Sequence, residues 1–303
     1  MSARPAPTRD IETRDELSPD LARSVAKLID EAAANDGSSP VSEQGRLHLR
    51  RRRDGVRHLL VHQDGELVAY AQLEDTDPVE PPAAELVVRP GFRCRGHGRA
   101  LGRALLSDSG KRLRVWAHGG RPAARHLAGA LGLSLFRELR QLRRPLDGGP
   151  PLPEPTLPPG VTVRTFQPGR DEAAWLAVNA SAFAHHPEQG AWTPADLSDR
   201  MAEPWFDPEG FFLAVRDDRV VGFHWTKVHA EERLGEVYVV GVDPAEQGTG
   251  LGRALTVIGL RHLARTQPTA MLYVDADNVA AVALYERLGF SVHEVDLMYR
   301  TET

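Results

Sequence analysis

Val242-Asp243-Pro244-Ala245-Glu246-Gln247-Gly248-Thr249-Gly250-Leu251-Gly252-Arg253-Ala254-Leu255 repeats a pattern met 154 residues earlier, Val88-Arg89-Pro90-Gly91-Phe92-Arg93-Cys94-Arg95-Gly96-His97-Gly98-Arg99-Ala100-Leu101. Each copy reads as a strand end, a tight turn, a glycine-rich loop and a helix start. Glycines let successive backbone N–H groups converge, and the helix start adds partial positive charge. The product is an anion cradle that suits a pyrophosphate. No Gly-Lys-Ser/Thr follows, so it is not a Walker loop, and no parallel βαβ unit makes it a dinucleotide fingerprint. A lone glycine-rich turn says little. Two copies, each with V-x-P before and R-A-L after, imply a duplicated fold.

The surrounding pattern supports the duplication. In the first half, Leu21–Ala34 reads as an amphipathic helix. Strands are expected at 58–61 and 67–73 around an Asp64-Gly65 turn, then at 84–88, 113–117 and 134–143. Helices are expected over about 98–109 and 123–131. The second half repeats the order: strand 161–166, helix 171–183, strands 212–216 and 220–229 around Asp217-Asp218, and strand 235–242. Helix 251–264, strand 271–275, helix 279–288 and strand 291–299 complete it. The fold class is mixed α/β, with two tandem domains, each a mostly antiparallel sheet flanked by helices. Residues 145–160, PLDGGPPLPEPTLPPG, hold seven prolines and three glycines. That composition predicts an extended linker between a domain at 1–144 and another at 161–303.

The 303 residues suit two domains. Absence of a long apolar run and of a signal-peptide core predicts a cytoplasmic protein without membrane association. The single cysteine, Cys94, cannot form an internal disulfide. Net charge is −5, divided as +5 over residues 1–150 and −10 over 151–303. That balance gives no support for nucleic-acid binding, and Arg50–Arg53 reads as a solvated helix end. His185, His186, His224 and His229 lack metal-ligand spacing, so no metal is expected. A monomer is expected.

The loops resemble the pyrophosphate motif of the GCN5-related N-acetyltransferase superfamily, Gln/Arg-x-x-Gly-x-Gly/Ala. Gln247, Gly250 and Gly252 fill it in the second copy; Arg93, Gly96 and Gly98 fill it in the first. Residues 277–290, DNVAAVALYERLGF, match the superfamily's N-x-x-A-x-x-x-Y-x-x-x-G-F. The resemblance implies acetyl-CoA in a cleft where two strands splay at a bulge. It implies coenzyme contacts from Val240, Gly241, Val242, Gln247, Gly248, Thr249, Gly250, Leu251, Gly252 and Arg253, and from Asn278, Val279, Ala280, Ala281, Val282 and Ala283. A second coenzyme site would use Leu86, Val87, Val88, Arg93, Cys94, Arg95, Gly96, His97 and Gly98.

Acetyl transfer to an amine needs a base, an oxyanion site and an acid for the leaving thiolate. Glu236 is the candidate base. Period-2 alternation would put Glu236, Tyr238 and Val240 on one face, with Gly241 at the bulge. Tyr285 is the candidate acid, where the superfamily keeps a tyrosine. Aligned through the loops, Glu236 falls on Pro82; through the LGL/LGF pair, Tyr285 falls on Ala128 and Asn278 on Arg121. The first domain then binds coenzyme without catalysing.

The segments 222–229, 235–244 and 186–190, with Trp192, resemble tandem members of the superfamily that complete a low-molecular-weight thiol. Those enzymes acetylate the cysteinyl amine of 1D-myo-inositol 2-(L-cysteinylamino)-2-deoxy-α-D-glucopyranoside by direct transfer in a ternary complex. The resemblance implies that Glu43, Glu188, Lys227, Glu236 and Tyr273 bind this thiol-sugar, so that both domains frame it. An α-amine titrates near about 7.7–8.0, so a carboxylate base suffices. Two alternatives stay open: acetylation of another small amine or a protein N-terminus, and a non-enzymatic coenzyme-A-binding scaffold.

Overall fold

The computed structural model describes residues 10–77, 80–185 and 187–302, with only the backbone of Pro187 and Glu188. Contacts divide the chain into two compact units, Met1–Leu139 with Val295–Thr303, and Arg140–Glu294. The first contains β1 (Ile11–Arg14), α1 (Pro19–Asp36), α2 (Glu43–His48), β2 (Val56–Gln63), β3 (Glu66–Glu74) and β4 (Ala83–Val88). It continues through α3 (His97–Asp108), β5 (Arg114–Ala117), α4 (Pro122–Ala130) and the start of β6 (Leu133–Pro145). The second holds β7 (Thr162–Thr165), α5 (Glu172–Ala182), α6 (Pro187–Gly190), α7 (Pro194–Met201), β8 (Phe211–Arg216) and β9 (Arg219–His229). Then follow β10 (Leu234–Val242), α8 (Leu251–Leu263), β11 (Thr269–Asp275), α9 (Val279–Arg287) and the start of β12 (Ser291–Thr301), which passes to the first unit at Val295.

Strand order is β1-β2-β3-β4-β5-β12 in the first unit and β6-β11-β10-β9-β8-β7 in the second. Each is antiparallel up to one parallel pair: β4 with β5, and β10 with β11. The hairpin turns have positive φ at both central residues, Asp64 and Gly65 in one unit, Asp217 and Asp218 in the other. That geometry follows the twist of the strands they join. In the first unit α1 buries Val25, Leu28, Ile29 and Ala32 against Leu60, Tyr70 and Val87, while Leu101 and Leu105 of α3 cover Leu59, Ala69 and Ala71. In the second unit, α5 and α7 cover an aromatic face, and α8 and α9 an aliphatic one. Helix α8 sits close because Gly259 has no side chain; a Cβ there would lie 2.1 Å from the His224 ring. His224 donates from Nδ1 to Leu255 O over 2.7 Å, and burial pushes its pKa down to about 4, so it stays neutral.

The units differ from the sequence boundaries at 144 and 161 in two ways. Strand β6 runs through the division, and the last strand belongs to the first unit from Val295 on. Leu297, Met298 and Tyr299, all buried, pair with Ala117, Trp116 and Val115 of the four-residue β5. Residues 146–160 contain no regular element, as the prolines predict, but they are fastened along the second unit. Leu146 N and Asp147 N donate to Pro268 O, and guanidiniums of Arg144 and Arg216 bind Pro150 O and Pro159 O. Leu152 and Leu157 join its core.

The elements β1, α2, α6 and α7 are additional to the pattern read from the sequence. The first three span four to six residues, too short for periodicity to show. Helix α7 carried a readable start: Thr193 and Asp196 form a capping box ahead of it.

Candidate active site

The central feature of the second unit is a bulge in β10. Val237 pairs with Thr226 and Val239 with Trp225, leaving Tyr238 as the extra residue. Gly241, where the bulge was expected, pairs regularly with Phe223. Its missing side chain serves packing instead: a Cβ would lie 2.7 Å from the Phe223 ring. Pairing of β10 with β11 ends at Val237–Leu272. Beyond it the strands part, and residues 239–242 continue in the ladder with β9 but not with β11. Val240, Gly241 and Val242 line this edge.

The bulge also breaks the alternation. Tyr238 and Val239 both join the aromatic face with Trp225 and Phe223, and Val240 and Val242 turn to the α8 face. Glu236 and Tyr238 therefore share a face that excludes Val240, contrary to the period-2 expectation.

On the aromatic face Glu236 is buried, opposite Lys227 on β9. Its Oε2 meets His229 Nε2 at 2.7 Å. The Lys227 Nζ stands 4.5 Å from the Trp205 ring centroid and 5.3 Å from that of Tyr238. Arg200 of α7 donates from Nε to the Tyr238 hydroxyl at 2.9 Å, and its Cζ stands 3.7 Å from the Trp192 ring centroid. Four of the chain's five tryptophans enclose these groups. Parallel pairing sets Met271 beside Glu236, so Tyr273, two residues on, shares that face. The Tyr273 hydroxyl accepts from Gln141 Nε2 at 2.8 Å, and the side chain is exposed.

The opposite face carries the cradle. Gly248 and Gly250 adopt φ of +78° and +89°, and a Cβ on either would point into open space. Gln247 Nε2 reaches back to Val242 O at 3.4 Å and Thr249 Oγ1 to Glu246 O at 2.7 Å, bracing the loop. Helix α8 begins at Gly250 with no side-chain cap, whereas α1, α2, α7 and α9 are capped by Ser18, Ser42, Thr193 and Asn278. The first-turn N–H groups at Leu251, Gly252 and Arg253 are thus left to an outside acceptor, which fits a phosphate. Asn278, expected at the coenzyme, accepts from Ala281 N as the α9 cap, and Val279 is 73% exposed. Ala280 is exposed beside it, and Ala281, Val282 and Ala283 are half-buried. Tyr285 is buried on this face among Val237, Val257 and Leu272. Burial pushes its phenol up to about 12, so it carries its proton at neutral pH. Glu236 and Tyr285 thus stand on opposite faces of a sheet that opens between β10 and β11.

The first unit repeats the cradle and not the rest. Cys94 and Gly96 take φ of +59° and +87°, like Gly248 and Gly250, and α3 also starts uncapped. Arg93 Nε reaches Val88 O at 3.1 Å, as Gln247 reaches Val242 O, and its guanidinium is tied bidentately to Asp36. Arg95 reaches Gly91 O, and His97 is buried at the first helical position. A Cβ at Gly98 would lie 3.3 Å from Leu127 and 3.7 Å from Val88, while Leu86 and Val87 pack on opposite faces of β4. Strand β4 lacks the bulge. Counting through the registers then corrects the sequence alignment by one residue: Glu236 corresponds to Ala83, which pairs with Glu74 and Arg114, rather than to Pro82. Tyr285 corresponds to Ala128. A different buried polar group lies here: His118 is held between Glu85 at 2.9 Å and Asp296 at 3.1 Å.

Of the residues expected at the acceptor, Lys227, Glu236 and Tyr273 come together on one face of the second unit. Glu43 belongs to the first unit, where it opens α2. The side chain of Glu188 lies outside the described residues. His229, Trp205 and Arg200 were missed, while Tyr238 was read onto this face without a role. His229 had a signal, since a hairpin returning at 230–233 sets it diagonally across from Glu236. Among the described residues no group of three or more His, Cys, Asp or Glu could hold a metal, and no helix is long and apolar enough to cross a membrane.

A doubled cradle beside a splayed parallel strand pair defines an acyl-CoA-dependent transferase architecture, and comparison with known proteins agrees. A model of the acetyltransferase (GNAT) family matches residues 23–133 and 177–290. The chain belongs to this family, and it is an N-acetyltransferase of two tandem units. It is 71% identical to the mycothiol acetyltransferase of Streptomyces coelicolor, over 100% of this chain and 98% of that one. It is 70% identical to that of Streptomyces bingchenggensis, over 98% of each. Among solved structures, a tandem GNAT protein from the clavulanic acid biosynthesis pathway superposes with a TM-score of 0.73 at 19% identity, covering 97% of this chain and 98% of its own. A GCN5-related N-acetyltransferase from Sphaerobacter thermophilus gives 0.66 at 26% identity, covering 96% and 95%.

Proposed function

We propose that the second unit transfers acetyl from acetyl-CoA to the cysteinyl amine of 1D-myo-inositol 2-(L-cysteinylamino)-2-deoxy-α-D-glucopyranoside, completing mycothiol. The observation that carries the reading is Glu236, a buried carboxylate beside the opening between β10 and β11. Near-full-length identity to mycothiol acetyltransferases supports the acceptor. The coenzyme lies along the α8–α9 face, with its pyrophosphate on the N–H groups of residues 248–253. Glu236 takes the amine proton, the N–H groups near Val240 and Val242 receive the thioester oxygen, and Tyr285 protonates the leaving thiolate. Lys227 and Tyr273 bind acceptor hydroxyls. The first unit binds acetyl-CoA without turnover, because Ala83 and Ala128 cannot exchange a proton. Purified protein with acetyl-CoA should release coenzyme A rapidly with this acceptor and far more slowly with glucosamine, free cysteine or a peptide N-terminus. Equal rates with simple amines would overturn the assignment.

A further inference from the structure

We propose that His229 positions the Glu236 carboxylate and carries the proton it collects out to solvent. The inference rests on Glu236 as the base. Oxygen Oε2 is already engaged by His229 Nε2 at 2.7 Å, which leaves Oε1 for the acceptor amine. The Glu236 side chain is 8% exposed and that of His229 is 25% exposed. A carboxylate so buried must pass on one proton per turnover before it can act again. Lys227, directly across β9, is an ammonium that offers no lone pair. An imidazole takes and releases a proton near neutral pH, and this one reaches from the carboxylate to the water-exposed edge.

The proton count closes in four steps. In the resting pair Nε2–H donates to the ionised carboxylate, and the acceptor ammonium gives its proton to Oε1 of Glu236. Exchange with water then moves the imidazole proton from Nε2 to Nδ1. The neutral carboxyl, its proton turned to Oε2, passes it to Nε2. The imidazolium releases the Nδ1 proton to water, which restores the resting pair. Along the same registers, His229 corresponds to Thr76 and Glu236 to Ala83, so the unit lacking the base lacks its partner too. Other charged or titratable groups around the pair are Lys227 on β9, Glu231, Glu232 and Arg233 in the β9–β10 turn, Tyr273 and Asp275 on β11, and Arg200 from α7.

The test compares Glu236→Gln, His229→Ala and His229→Gln over a pH series with the full-length protein, after thermal melts confirm folding. His229→Ala should lower kcat about 10–100-fold, the range for groups that orient a reacting one, with little change in acceptor KM. Its pH profile should shift, and added imidazole should restore much of the rate. His229→Gln, which can donate but cannot relay, should stay slow. Glu236→Gln should be slow and unrescued. Normal turnover in Glu236→Gln would overturn the base itself. A slow Glu236→Gln beside an unchanged His229→Ala would overturn the His229 proposal alone, as would a slow His229→Ala with an unaltered profile and no imidazole rescue.

Discussion

Among single residues, Glu236 and Tyr285 are the proposed base and acid, because chemistry limits which side chains can move a proton and the duplicated half lacks both. Glu236→Gln keeps the shape and removes the basic lone pair. Turnover should fall roughly 10²–10⁴-fold, with acetyl-CoA affinity nearly unchanged. Stopped-flow turnover with coenzyme titration checks both, and a near-normal rate would place the base elsewhere. The Tyr285 phenol, pushed up to about 12, is a proton donor throughout the neutral range. Tyr285→Phe should slow single-turnover acetyl transfer while both substrates still bind; an unchanged single-turnover rate would reduce the ring to packing against Phe290. The companions of these two were not readable. Arg200 and Trp205 reach the Lys227–Tyr238 group from α7 and the segment after it, and no sequence period links them to β9 or β10.

Helices, strands and loops were legible where their periodicity ran long, and the misreading fell on the bulge. Alternation continued past Tyr238 in the sequence reading, which put Val240 beside Glu236 and aligned Glu236 with Pro82. One extra residue in β10 reverses both assignments. Nothing in Val237-Tyr238-Val239-Val240 marks a bulge, since β-branched and aromatic residues suit a regular strand equally. Gly96, Gly248 and Gly250 were legible because left-handed positions favour glycine, whereas the fourth left-handed position, Cys94, carried no such sign. The two cradles should not be equivalent in use. Val at Gly250 would strain a φ of +89° and crowd the N–H groups that receive the pyrophosphate, so activity should vanish. Val at Gly96, with φ of +87°, should remove one of two coenzyme sites in a calorimetric titration and leave substantial turnover. Activity surviving at Gly250 and lost at Gly96, in folded variants, would move the chemistry to the first unit.

The whole molecule departs most from the linear reading. Two domains in series were expected; instead the second unit is inserted between Leu139 and Val295 of the first. The pattern of residues 291–299 announces a strand and cannot say which sheet it joins. One consequence is that the first unit is incomplete until Thr301 is made, because β12 covers the edge of β5. Asp296 on that strand also accepts from Gly119 N at 2.7 Å and holds His118 against Glu85. Burial disfavours the imidazolium, yet hydrogen bonds to Asp296 and Glu85 outweigh it and push the pKa up to about 10. The folded value lies above the ordinary 6.5, so this stabilisation is complete below about pH 6.5 and is lost as pH rises through about 10. His118→Asn would leave two buried carboxylates without their cation and should cost about 3–5 kcal/mol near pH 6. Urea unfolding of wild type and variant at pH 6 and pH 10, followed through Trp116, which stacks on His118, tests this. The difference between the two proteins should narrow toward pH 10. A difference equal at both pH values would mean that His118 acts by shape alone and that its charge does not hold the last strand in place.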